Sequence, residues 1–256
     1  VAPAHIPELA AGPRWRSADL LSDLHLQAAE PATAQAWRRL LLEDTAADAV
    51  FILGDLFEAW PGDDVLAQPG FEADCAQVLR QAAQRRPVFF MHGNRDFLVG
   101  EAFSQATGVQ LLADPTVLAF GTARWLLSHG DALCLGDTEY LRFRARVRDP
   151  QWQRELLSRP LPERQALARS LRAESEDRKR SGATYADVDA PEARGWLGAA
   201  HATTLVHGHT HRPGDHDLGG GLRRIVLSDW DLAAQPPRAD VLRLSADGTA
   251  RRLPLA

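Results

Sequence analysis

Short apolar runs in this chain end repeatedly in polar clusters. Leu20-Leu21 leads into Ser22-Asp23-Leu24-His25, and Ala49-Val50-Phe51-Ile52-Leu53 into Gly54-Asp55. Val88-Phe89-Phe90-Met91 leads into His92-Gly93-Asn94-Arg95-Asp96, and Trp125-Leu126-Leu127 into Ser128-His129-Gly130-Asp131. Thr203-Thr204-Leu205-Val206 leads into His207-Gly208-His209-Thr210-His211. Runs this short, rich in β-branched and aromatic residues, predict buried strands. Between them, 31–44 places Trp37, Leu40 and Leu41 on one helical face, and 71–85 does the same with Val78 and Leu79. Strand alternating with helix predicts a layered α/β fold, with the polar clusters gathered at the edge where strands end.

Two segments break the rhythm. The tail carries three strand-like runs, 222–227, 239–244 and 249–253, without helices between them, and Asp247-Gly248 marks a tight turn. The stretch 137–182 is rich in Arg, Leu and Ala and is broken by Pro150, Pro160 and Pro162. Tyr140, Phe143 and Val147, then Leu167 and Leu171, recur at helical spacing, which predicts two or three helices forming an inserted cap. Residues 1–17 have no apolar run and are expected to be a loose, flexible arm, so that 18–256 forms one domain with the cap inserted.

Charge sharpens the view of the cap. From Glu139 to Arg180 there are 12 Arg/Lys against 7 Asp/Glu, which leaves 17 against 27 in the rest. A basic insertion on an acidic body suggests an anionic ligand or surface near the cap, or a solvated helical face with i,i+4 pairs. With a net charge of −5, the whole chain does not read as a nucleic-acid binder. No stretch reaches the roughly 20 apolar residues that a spanning helix needs, so any membrane contact is expected to be peripheral. Cys75 and Cys134 cannot form a disulfide framework, and reduced thiols in a cytosolic compartment are expected.

The polar clusters supply two Asp, one Asn and four His, each at the end of an apolar run. Oxygen donors mixed with imidazoles suit Mn2+, Fe2+, Zn2+ or a similar ion and not Ca2+, and the lack of thiolates argues against a structural zinc knuckle. Asp23 and His25 are two apart, as are His209 and His211, so each pair can point to one side of an extended segment. A carboxylate such as Asp55 can bridge two cations about 3.5–4 Å apart.

The ordered series D-x-H at 23–25, G-D at 54–55, G-N at 93–94, H-G-D at 129–131 and G-H-T-H at 208–211 resembles that of the calcineurin-like metallophosphoesterases. The resemblance implies a β-sandwich flanked by helices. It assigns Asp23, His25, Asp55 and His211 to one metal, and Asp55, Asn94, His129 and His209 to a second, with Asp55 as the bridge. His207 falls outside the motif and is expected either to support a ligand from behind or to be structural. Asp131 is expected to orient His129 through its free ring nitrogen.

Longer strings are more specific. G-D-L-F-E-A-W at 54–60 with G-D-D at 62–64, H-G-N-R-D-F at 92–97, H-G-D-A-L-C at 129–134 and H-G-H-T-H-R-P at 207–213 resemble the UDP-2,3-diacylglucosamine hydrolases. That resemblance implies cleavage of a UDP-linked diacylglucosamine lipid at its pyrophosphate, in lipid A biosynthesis, by a hydroxide bridging two Mn2+ ions or other divalent transition metals. It implies a cytoplasmic protein peripheral on the inner membrane, in contact with its anionic surface; no protein partner is inferred. Asp55, Asn94 and Arg95 become the catalytic residues. Substrate contacts fall to Asn94, Arg95, Asp137, Arg172, Ser175, Lys179 and His209. Lys179 stands where Asn is common and Gly182 where Lys is common, so headgroup recognition departs from the usual pattern here.

Arg95 fits this chemistry on its own terms. It follows the G-N pair, where related enzymes often carry a His proton donor, and a guanidinium cannot donate a proton at neutral pH. A phosphate leaving group, with a second pKa of about 6, needs no donor. Two other readings stay open at this point: another dimetal phosphodiesterase acting on cyclic nucleotides or nucleic acid, and a metal-free scaffold of the same fold.

Overall fold

A computed structural model describes residues 3, 5–180 and 186–255, and gives the backbone without the side chains across 173–180. Strands β1 to β6 are Glu8–Ala10, Ser17–Leu21, Ala49–Leu53, Val88–Met91, Gln110–Leu112 and Thr116–Phe120. Strands β7 to β12 are Ala123–Leu127, Thr204–His207, Gly214–Gly219, Leu222–Val226, Asp240–Ser245 and Ala250–Pro254. They form two six-stranded sheets, ordered β12-β11-β2-β3-β4-β5 and β1-β6-β7-β8-β10-β9. At the heart of the first, β2, β3 and β4 run parallel; in the second, β7, β8 and β10 do.

The two faces of each central strand go to different layers. Phe51 and Leu53 of β3, with Leu20, Phe89 and Met91, meet Leu118, Phe120, Trp125, Leu127 and Ile225 of the other sheet. Val50 and Ile52 point the opposite way, toward Trp37, Leu41, Leu79 and Phe103. Those come from the helical layer of α1 (Pro31–Arg39), its wider π turn (Leu40–Asp44), α2 (Phe71–Ala83) and α3 (Glu101–Thr107). Behind the second sheet, α7 (Ala190–Ala200) packs Ala193, Trp196 and Leu197 on Leu126 and Leu205. Burial on both faces is why β3 reads as an unbroken apolar run with no alternation. The result is the expected sandwich of two sheets flanked by helices.

The cap consists of α4 (Thr138–Val147), α5 (Pro150–Leu157) and α6 (Leu161–Arg180). Asp137 and Asp149 start the first two, each accepting a backbone N–H three residues on, at 3.0 and 2.9 Å. Ion pairs and a side-chain-to-backbone hydrogen bond seat the cap over the strand ends. Arg144 Nε donates to Asp131 at 2.8 Å, Arg148 to the Gly93 carbonyl at 2.9 Å, and Arg164 pairs with Asp64. Beyond the cap, Asp187 accepts both Nη groups of the buried Arg224 at 2.7 Å, so the returning chain is pinned to β10. Both cysteines are buried free thiols.

One expectation needs correction. Within the segment expected to be a loose arm, Glu8–Ala10 forms β1, paired in parallel with β6. Trp15 sets its ring edge-on to Phe51 and Phe89, with centroids 6.3 and 6.0 Å apart. A three-residue strand is too short to leave an alternation signal, and Trp15 stands outside any apolar run.

Candidate metal centre at the strand ends

The parallel strands β2, β3, β4, β7 and β8 deliver their polar clusters to one edge of the sandwich. Leaving a strand at once requires a sharp backbone turn. Asp23, His25, Asp55, His209 and His211 all take positive φ, between 49° and 66°. For non-glycine residues such backbone costs of order 1–3 kcal/mol each and gathers at functional sites. The strain is held by a dense set of hydrogen bonds. Leu24 and His25 both donate their N–H to the Asp55 carbonyl, at 2.9 and 3.0 Å. His209 N–H donates to Asp23 Oδ2 at 2.9 Å, and Arg95 N–H to Asp55 Oδ1 at 2.8 Å.

The side chains so placed fall into two groups around one carboxylate. On one side, His25 Nε2 lies 3.3 Å from His211 Nε2, and His211 Nε2 lies 3.5 Å from Asp23 Oδ1. Asp55 Oδ2 is 3.9 Å from His25 Nε2. On the other side, Asp55 Oδ1 is 3.8 Å from His129 Nε2. Asn94 Oδ1 sits 3.0 Å from His129 Nε2 and 2.8 Å from His209 Nδ1. Asp55 thus turns one oxygen to each group, as a bridging ligand must. Asp23, Asp55 and His129 are almost wholly buried.

The donor set fits a pair of divalent cations. Buried carboxylates need a positive partner. Here they draw one from the imidazoles: burial opposes a charge on His129, yet Asp55, Asp131 and Asp23 carry its pKa up to about 9. Burial, then repulsion from His129, pushes His209 down to about 4, so its ring is neutral with a lone pair to give. The loops also leave no room for more atoms. A Cβ at Gly208 would lie 2.2 Å from Asp23 Oδ2, and one at Gly93 would lie 2.0 Å from Asp55 Oδ1 and 2.3 Å from Asp55 N. Gly93→Ala therefore forces a backbone shift at the bridge. It is expected to lower stability by about 1–3 kcal/mol and to weaken divalent-cation binding. Thermal unfolding and cation titration check this; parental values for both would mean the loop yields freely.

Other expected roles come out differently. Asp131 does not reach His129: its Oδ2 accepts from Tyr140 Oη at 2.6 Å and Arg144 Nε at 2.8 Å, and the Leu53 carbonyl lies 2.9 Å from His129 Nδ1 instead. His207 is buried beside Arg224, and burial above all holds its pKa down to about 4, in keeping with a structural ring. Asp137 caps α4 and still borders the cavity beneath the cap, as do Asn94, Arg95 and His209. Arg172 extends from α6 to Glu58, 3.2 Å from its Oε1. The Ser175 and Lys179 side chains lie outside the described residues.

Three neighbours had no assigned role in the sequence reading. Asp96, fully buried, accepts N–H groups from Leu56 at 2.7 Å and Gly93 at 2.8 Å, locking two ligand loops together. Burial and the nearby Asp55 push its pKa up to about 7. Glu58 lies 3.1 Å from His25 Nδ1, and Asp229 lies 3.7 Å from His211 Nδ1. Asp96 and Glu58 stand inside the motif strings, which was the available signal; Asp229 had none.

The cavity beneath the cap measures about 530 Å³. Its floor is the candidate ligand cluster with Asn94 and Arg95, and its cap side carries the apolar Phe143, Trp152, Leu156, Leu167 and Leu171 beside the charged Asp137, Glu139 and Arg164.

Residues 19–213 match the model of the calcineurin-like phosphoesterase family. A UDP-2,3-diacylglucosamine hydrolase of Chromohalobacter salexigens is 42% identical over 91% of this chain and 94% of its own length. One from Bordetella parapertussis is 44% identical, over 93% of each chain. One from Azotobacter vinelandii is 47% identical over 83% of this chain and 90% of its own. The buried, Asp55-centred cluster and this likeness across nearly the whole length together make the chain a member of the UDP-2,3-diacylglucosamine hydrolase family of calcineurin-like phosphoesterases.

Proposed function

We propose that this protein hydrolyses the pyrophosphate bond of UDP-2,3-diacylglucosamine, releasing UMP and 2,3-diacylglucosamine 1-phosphate for lipid A synthesis. The supporting observation is the two-sided cavity. A cation-binding floor with Arg95 suits a pyrophosphate, and the apolar underside of the cap suits acyl chains.

Asp23, His25, Asp55 and His211 would hold one divalent cation, and Asp55, Asn94, His129 and His209 the other; we take both to be Mn2+. When bound, the pair supplies Lewis acidity and a water acidic enough to serve as nucleophile at neutral pH. The protein's own groups do the rest. Arg95, held by its N–H on Asp55, places a fixed positive charge over the floor, where it offsets charge on the transferring phosphoryl group. His209 and Asp137 border the same space and are assigned to substrate contact, with Arg172, Ser175 and Lys179 of α6 at the headgroup. Phe143, Leu167 and Leu171 shelter the acyl chains from water.

A lipid substrate requires approach to a membrane. No helix among the described residues is long and apolar enough to cross one. Arg142, Arg146, Arg154, Arg159 and Arg169 are exposed on the cap. Their charge supports peripheral contact with anionic lipid at the cytoplasmic face of the inner membrane. The decisive experiment is purified protein with Mn2+ and UDP-2,3-diacylglucosamine. UMP and the lipid phosphate are expected in equal amounts; no UMP, with turnover of cyclic nucleotides or nucleic acid instead, would overturn the assignment.

A further inference from the structure

Glu58 touches both the candidate metal centre and the cap. It stands three residues past Asp55, with its backbone N–H on the Leu26 carbonyl at 3.2 Å, so the loop carrying His25 runs alongside it. Its side chain is only 13% exposed, and its two oxygens have separate partners. Oε2 lies 3.1 Å from His25 Nδ1. Oε1 lies 3.2 Å from Arg172 Nε and 3.7 Å from Arg95 Nη1. Arg172 is further fixed by donating to Gln27 Oε1 at 2.7 Å, in the same loop as His25. The far nitrogen of the His25 ring, Nε2, is the one that faces His211 and Asp55.

A histidine ring that binds a cation through one nitrogen is aimed by whatever its other nitrogen bonds. At His129 the Leu53 carbonyl is there, and at His211 Nδ1 the Asp229 carboxylate is 3.7 Å away, beyond hydrogen-bond reach. At His25 a carboxylate oxygen lies 3.1 Å from Nδ1, an ion-pair contact that is not aligned as a hydrogen bond, and the same carboxylate seats an arginine from a cap helix. We infer that Glu58 is a positioning residue that aims His25 at the first cation and seats α6 through Arg172, so that cation binding and cap docking are coupled. The inference rests on the dimetal reading above and goes beyond it, since neither the cap nor Glu58 is a ligand.

The test is calorimetric titration of metal-stripped protein with Mn2+, alongside amide hydrogen exchange in α6. The parent is expected to bind two ions. Glu58→Gln keeps the size and loses the charge. It is expected to weaken one ion by about 10–100-fold, leave the other unchanged, and speed exchange in α6. Arg172→Gln leaves Glu58 in place. It is expected to speed α6 exchange and to weaken the same ion by a smaller factor, which covers the case of a misfolded Glu58 variant. Two ions bound to Glu58→Gln with parental affinity, or parental α6 exchange in both variants, would overturn the coupling while leaving the dimetal reading intact. A parent that takes up no Mn2+ overturns both.

Discussion

Asp55→Ala is expected to cut turnover by about 10³-fold or more, the share of the barrier that a metal pair supplies in several kcal/mol. Asp55 turns one oxygen toward each donor group, 3.9 Å from His25 and 3.8 Å from His129. On the proposed dimetal reading, losing it would remove a ligand from both sites at once. The alanine also leaves the Arg95 N–H without its acceptor and puts a Cβ-bearing residue without a polar side chain at a φ of 51°. A loss of activity in that variant alone is therefore ambiguous between chemistry and folding. Asp55→Asn separates them. Asparagine tolerates the left-handed backbone and keeps an oxygen for the Arg95 N–H, but cannot offer two anionic oxygens. It should unfold near the parental temperature and still release almost no UMP. Metal analysis of both variants should find fewer than two ions per chain. Turnover within tenfold of the parent, with two ions bound, would remove Asp55 from the bridge.

Asp55 was readable from sequence because its position is local. It follows β3, whose five residues are all buried, and the abrupt change from Ile52-Leu53 to Gly54-Asp55 marks where the chain leaves the sandwich. The other four clusters announce themselves in the same way, and the distances bring all seven donor side chains together. The groups around them are set by tertiary contacts that no local pattern records. Asp131 follows the H-G-D string, yet it serves Tyr140 and Arg144 because α4 descends onto it from the cap. Glu58 lies in a quoted string but meets His25 of the neighbouring loop and Arg172 from more than a hundred residues on. β1 was missed for another reason: it is three residues long and held as much by its neighbours as by its own pattern.

Arg95→Ala is expected to lower kcat by about 10²-fold or more, the loss typical when a fixed charge is withdrawn from a developing oxyanion. The guanidinium is 14% exposed, at the floor of the cavity, near Glu58. Its backbone is tied on both sides, by its N–H on Asp55 and by its carbonyl accepting from Trp60 N–H at 3.3 Å. Neither tie uses the side chain, so the loop should survive the substitution and the thermal midpoint should stay near the parental one. Two further readouts distinguish transition-state stabilisation from simple substrate binding. If the charge acts in the transition state, kcat falls more than KM rises. Arg95→Lys should recover part of the loss, because the charge returns without the planar fork. The shape of the pH profile supplies the sharpest test. A proton donor at this position would contribute an ionisation that disappears with it, whereas arginine has none near neutral pH. Arg95→Ala should therefore be slower at every pH with both limbs of the profile unmoved. A shifted limb would mean that Arg95 governs a titrating group, and a parental kcat would take it out of the chemistry altogether.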